Sequence, residues 1–146
     1  MCSKWIILGA VSLSVLATAD HAPAQQANLD LQEKCSKQAK IAFDELSFQY
    51  RDRTSFTNHY NVKLNRCLIE TEQFALPVSP DIFWTYKVVS DAYEGTVFAT
   101  YAWHSDKVKK YWEMPPVECK VTLSSGDEEV CTSSEEFDKM VKVYMQ

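Results

Sequence analysis

Leu31, Cys35, Ala39, Ala42, Phe43 and Leu46 recur at steps of three and four, while Glu33, Lys34, Lys37, Gln38 and Lys40 between them are polar. That period predicts a surface helix over residues 30–46, capped by Asp30 with Glu33 three residues on. Residues 50–57 are polar, contain Arg51-Asp52-Arg53, and read as a loop. From His59 the period drops to two. Tyr60, Val62 and Leu64 point one way, and His59, Asn61, Lys63 and Asn65 form the opposite, wet face of a half-buried antiparallel strand. Leu68 and Ile69 extend this strand past Cys67, with a bulge shifting the phase. Pro77 and Pro80 mark a break.

Two further strands follow, from about Ile82 to Val89 and from Thr96 to Trp103, both rich in aromatic and β-branched residues. They are joined by a turn over Asp91–Gly95. Beyond the polar segment Ser105–Lys110 and Met114-Pro115-Pro116, residues 119–131 read as strand, Ser124-Ser125-Gly126-Asp127 turn, strand. A C-terminal helix is signalled by Ser133 and Glu136 as a capping box and by the stripe Phe137, Met140, Val141, Tyr144. The order predicts an α+β fold. An N-terminal helix, an antiparallel sheet of about four to five strands and a C-terminal helix are expected, with the helices against one face.

Residues 1–24 have the pattern of a secretory signal peptide. Lys4 supplies the charged start, Trp5–Leu16 the apolar stretch, and Ala22-Pro23-Ala24 the small residues of a cleavage site; Ala17-Thr18-Ala19 is a second such site. Cleavage after Ala24 is preferred because the chain turns polar at Gln25. An uncleaved anchor would need about 18–20 apolar residues, more than this stretch supplies. Cys2 precedes the apolar stretch, a position unsuited to lipid attachment. The organisation expected is a leader over 1–24 and a single disulfide-bonded α+β domain over 25–146, located in a periplasm or secreted and not spanning the membrane.

Four cysteines remain: Cys35, Cys67, Cys119 and Cys131. An even number in a small exported domain predicts two disulfides, for which four cysteines allow three pairings. Folding the last hairpin about its turn brings Cys119 opposite Cys131, so Cys35 pairs with Cys67 by elimination. Zinc is the weaker reading because no two cysteines form a C-x-x-C pair.

The chain has 15 Lys and Arg against 20 Asp and Glu, a net charge of −5. An acidic balance argues against nucleic acid as a partner. With only three glycines, widely spaced, neither a dinucleotide-binding G-x-G-x-x-G, nor a phosphate-binding P-loop, nor a G-x-S-x-G elbow can be built. No cofactor is implied.

The stretches Thr57–Cys67 and Trp103–Trp112, taken with the last hairpin and helix, resemble a group of small exported proteins of alpha-proteobacteria. The resemblance covers most of the chain after the leader. It implies export and the four-cysteine framework, and assigns no site.

His104-Ser105-Asp106 contains the residue types of a nucleophilic triad, but neighbours in sequence cannot adopt its geometry; Asp106 reads as a turn residue. A metal site from His59, His104 and Asp106 would need two separate strands to converge. The pairs Glu70 with Glu72, Asp127-Glu128-Glu129 and Glu135-Glu136 fit a polar strand face, a turn and a helix N-terminus better than a glycosidase cleft. The most suggestive surface is aromatic and basic: Trp103, His104, Lys107, Lys109, Lys110, Tyr111 and Trp112. Such a group can hold a polysaccharide by stacking, or an anionic partner; its plainer reading is aromatics in the core and solvated lysines. The expected function is therefore a small non-enzymatic accessory or binding protein, acting on a protein or polysaccharide of the cell envelope. The alternative is a small periplasmic hydrolase or an inhibitor of one.

Overall fold

A computed structural model describes residues 22–46, 53–75, 82–110 and 113–146. Helix α1 spans Ala22–Glu45. It begins well before Asp30, which is therefore not its cap: Pro23 lies in the first turn, where its missing amide hydrogen breaks no bond, and the Ala and Gln residues that follow propagate a helix readily. The expected cleavage point after Ala24 falls in that first turn, and leader residues 1–21 lie outside the described residues. Lys34, Lys37 and Lys40 are exposed as expected, with Lys37 on Glu33 at 2.6 Å and Lys40 on Asp44 at 2.9 Å. Gln38 departs from that polar side, because its amide donates to the Ala92 carbonyl at 3.0 Å.

Six strands are described: β1 (Thr54–Asn61), β2 (Arg66–Ala75), β3 (Trp84–Asp91), β4 (Val97–His104), β5 (Glu118–Thr122) and β6 (Glu128–Val130). Each pairs antiparallel with its sequence neighbour, in the order β1-β2-β3-β4-β5-β6. The count exceeds expectation because the segment read as one strand from His59 to Ile69 is a hairpin. Tyr60 pairs with Cys67 and Asn61 with Arg66, and residues 62–65 form the turn. Asn65 takes φ of 51° there, a conformation asparagine tolerates better than most residues. Asn61, expected on the wet face, is only 1% exposed. Its side chain accepts from the Leu64 amide at 3.0 Å and donates to the Val143 and Tyr144 carbonyls at 2.9 and 3.0 Å. Residues 54–57, expected in a loop, begin β1, and the register shift lies at Val89/Ser90 rather than beside Cys67.

The two helices lie on opposite faces of the sheet, not on one. Consecutive strand residues point to opposite sides. Cys67 and Ile69 pack with Cys35 and Ala39 of α1, whereas Leu68 packs with Phe137 and Val141 of α2 (Ser134–Val141). Helix α1 lies over β1 and β2, and α2 over β4 and β5. Both expected disulfides are present. Cys35–Cys67 ties α1 to β2 with Cα atoms 5.2 Å apart, and Cys119–Cys131 closes the last hairpin at 5.0 Å. That hairpin turns at Gly126, where φ of 90° favours glycine. Ser133 caps α2 by accepting from the Glu136 amide at 3.1 Å. The return arm reaches one residue further than a capping box requires: Glu136 accepts from the Thr132 amide at 2.7 Å.

The β3–β4 turn is organised by buried Asp91. Its carboxylate accepts from the Tyr93 and Glu94 amides at 2.8 and 3.0 Å and from Arg66 at 3.0 Å. Burial alone would raise this carboxyl, but the two amides and the guanidinium outweigh it and hold it below its ordinary value. A carboxyl lowered in the folded state contributes stability that is complete above its unfolded value, about pH 4, and is lost as pH falls through the folded value. Denaturant midpoints should therefore fall on acidification below about pH 4. Asp91→Asn should be less stable at neutral pH and show a shallower acid limb. An equally steep limb in the variant would assign the acid loss to other groups.

Candidate functional site

Strand β3 carries its side chains against their polarity. Thr85, Lys87 and Val89 face α2, and Trp84, Tyr86 and Val88 face the other way. Lys87 is 8% exposed, while Trp84 and Tyr86 are 42% and 43% exposed. The inward lysine is held by α2: it donates to Asp138 at 2.8 Å and to Ser134 at 3.2 Å, one helical turn apart, and lies 3.7 Å from Glu72. Burial would lower the Lys87 ammonium, but Asp138 first, then the charges of Glu72 and Glu70, raise it and keep the proton in place. Glu70 is pushed up by burial, against the pull of Lys87. The Glu70 and Glu72 pair is thus part of the underside of α2.

The outward aromatics lie on the half of the sheet that α1 leaves open. Trp84 sits opposite His104 across the β3–β4 pair, with ring centroids 4.8 Å apart at 43°. Tyr86 is flanked by Gln73 on β2 and Ala102 on β4, and Glu118 on β5 lies beyond Ala102. Burial first, then the Glu118 charge, push the Tyr86 hydroxyl up. Side chains two apart on a strand stand about 7 Å from each other. Trp84 and Tyr86 therefore form a shallow stacking surface, with Gln73, Glu118 and His104 supplying polar edges. Such a surface can hold a ligand that is apolar on its flat face and polar at its rim.

The residues singled out from the sequence are divided by this geometry. Trp103 and His104 are consecutive in β4, so they point to opposite faces. Trp103 is buried, donates its indole N–H to the Met114 carbonyl at 3.0 Å, and lines a cavity of about 330 Å3 with Tyr101, Pro115, Pro116 and Ser133. His104 joins the open face. Lys107, Lys109 and Lys110 are exposed on the loop that follows; Tyr111 and Trp112 lie outside the described residues. Asp106 is a turn residue, accepting from the Val108 and Lys109 amides at 2.7 and 3.4 Å. Ser105 accepts from the Phe83 amide at 2.8 Å. His59 and His104 do not converge, since β2 and β3 separate their strands and they face opposite sides.

Among the described residues, no three His, Cys, Asp or Glu side chains are grouped to hold a metal ion, and no helix is long and apolar enough to cross a membrane. No protein-family model, curated protein or solved structure matches the chain.

Proposed function

We propose that this chain is an exported, non-enzymatic binding module of the cell envelope, and that its open aromatic half-face holds a polysaccharide. The observation that carries this reading is the inversion of β3. Turning a lysine inward and Trp84 and Tyr86 outward breaks the usual pattern of a half-buried strand, and such breaks concentrate at functional sites. A sugar ring has an apolar C–H face for Trp84 and Tyr86 and hydroxyl edges for Gln73, Glu118 and His104. Two buried disulfides fit an oxidising compartment, in keeping with the leader-like first segment. The hydrolase alternative needs carboxylates facing each other across a cleft, whereas Glu70, Glu72 and Asp138 gather round Lys87 on the far side of the sheet.

Affinity electrophoresis of the exported chain, its N-terminus expected at Gln25, through gels containing soluble envelope polysaccharides tests this. At least one polysaccharide should retard the protein. Trp84→Ala should weaken that binding about tenfold, the loss of one aromatic stacking contact, with little change in melting temperature. Absence of retardation across the panel, or equal retardation of the variant, would overturn the reading.

A further inference from the structure

We propose that the end of the sheet bearing the β4–β5 connection docks on an anionic lipid surface. The antiparallel order brings the end of β2, the start of β3, the end of β4 and the start of β5 to the same side of the molecule. Phe83 and Val117, just ahead of β3 and β5, are both more than half exposed there. Between them in the chain stands Val108, 90% exposed and flanked by Lys107, Lys109 and Lys110.

The loop is built to present that tip. The Asp106 carboxylate accepts from the Val108 and Lys109 amides, and Glu113 accepts from the Lys110 amide at 3.1 Å. The Asp106 and Glu113 carboxylates thus brace the loop's own backbone, and the three lysines beside them are exposed. The Ser105 amide donates to the Phe83 carbonyl and the Phe83 amide to the Ser105 hydroxyl, both at 2.8 Å, and together they fix the root of the loop.

An apolar side chain at a loop tip gains nothing in water. Inserted at the boundary of headgroups and acyl chains it removes apolar area from water. Lysines on either side then meet lipid phosphates, and the exposed Phe83 ring adds apolar area at the same end. The rest of this acidic chain is repelled by an anionic surface, so the charge distribution selects this end for contact. The surface differs from the stacking face, with Trp84, His104 and Glu118 on their border, and it stands whether or not a polysaccharide is bound there.

Sedimentation with vesicles of phosphatidylethanolamine and phosphatidylglycerol, against vesicles of phosphatidylcholine alone, tests it. The protein should sediment with the first and not the second, and should be released as salt rises. Replacing Lys107, Lys109 and Lys110 together by Ala should weaken binding on the order of a hundredfold, from the electrostatic contribution of three lysines near an anionic surface. Val108→Asp should abolish it while circular dichroism and polysaccharide retardation stay unchanged. Trp84→Ala should spare most vesicle binding, so the two readings fail separately. No sedimentation with the anionic vesicles, or undiminished binding by Val108→Asp, overturns the proposal. Capture by a soluble polyanion without vesicle binding would do the same.

Discussion

Removing both disulfides, by Cys35→Ala with Cys67→Ala and Cys119→Ala with Cys131→Ala, should leave the chain largely unfolded at physiological temperature. The bridges close loops of 32 and 12 residues. Restricting the unfolded chain by such loops stabilises the fold by about 4 and about 3 kcal/mol respectively. Together these are comparable with the whole stability of an average small domain, about 5–15 kcal/mol. All four cysteines are buried, so their loss also removes packing. The longer loop should matter more, because Cys35–Cys67 holds α1 on the sheet. Thermal melts followed by far-ultraviolet circular dichroism, with and without reductant, check this. A reduced protein melting within a few degrees of the oxidised one would sink the claim.

Phe137→Ala should cost about 3–5 kcal/mol, the range for emptying a fully buried aromatic site. Phe137 has no exposed surface, and its ring lies 5.6 Å from that of Tyr101 in the cluster that includes Leu68, Val89 and Val121. Helix α2 has eight residues, too few to persist without tertiary packing. It is held by Phe137 and Val141 below and by Lys87 gripping Ser134 and Asp138 from the side. Hydrogen exchange should show α2 amides losing protection in the variant well before those of β2 and β3. Phe137→Leu should cost far less. If α2 protection is unchanged by the alanine, the helix is anchored elsewhere.

Where the sequence and the fold agree, the signals were local. The Ser133–Glu136 cap, the stripe from Phe137 to Tyr144, and the Gly126 turn that sets Cys119 opposite Cys131 each lie within a few residues. The β1–β2 hairpin was illegible because its turn, Val62-Lys63-Leu64-Asn65, contains neither glycine nor proline and continues the alternation of β1. Only Asn61 and Asn65 mark it, through bonds that depend on the C-terminus and on a left-handed backbone. The placement of α1 and α2 on opposite faces follows from Cys67 and Leu68 being adjacent, which can be read only once their partners are known. The candidate site was half legible. Trp103 and His104 looked like one cluster, yet a strand separates neighbours; Trp84 and Tyr86 stood out only as part of an aromatic-rich strand. Their outward direction is set by Lys87, whose partner Asp138 lies some fifty residues away in the chain, beyond the reach of any periodicity.

The uninterrupted strand order carries a consequence for how the molecule forms. Each strand pairs with the one made just before it, so sheet growth joins neighbouring segments and needs no crossover. Loop closure is then modest at every step of sheet growth, and pairing between sequence neighbours favours fast folding. A chain emerging N-terminus first can add β2 to β1, then β3, before α2 is made. The last acts are the docking of α2 against β4 and β5 and the capture of Asn61 by the Val143 and Tyr144 carbonyls. Val143 and Tyr144 thereby latch onto the first hairpin, and the sheet is secured on its second face only after they have been made.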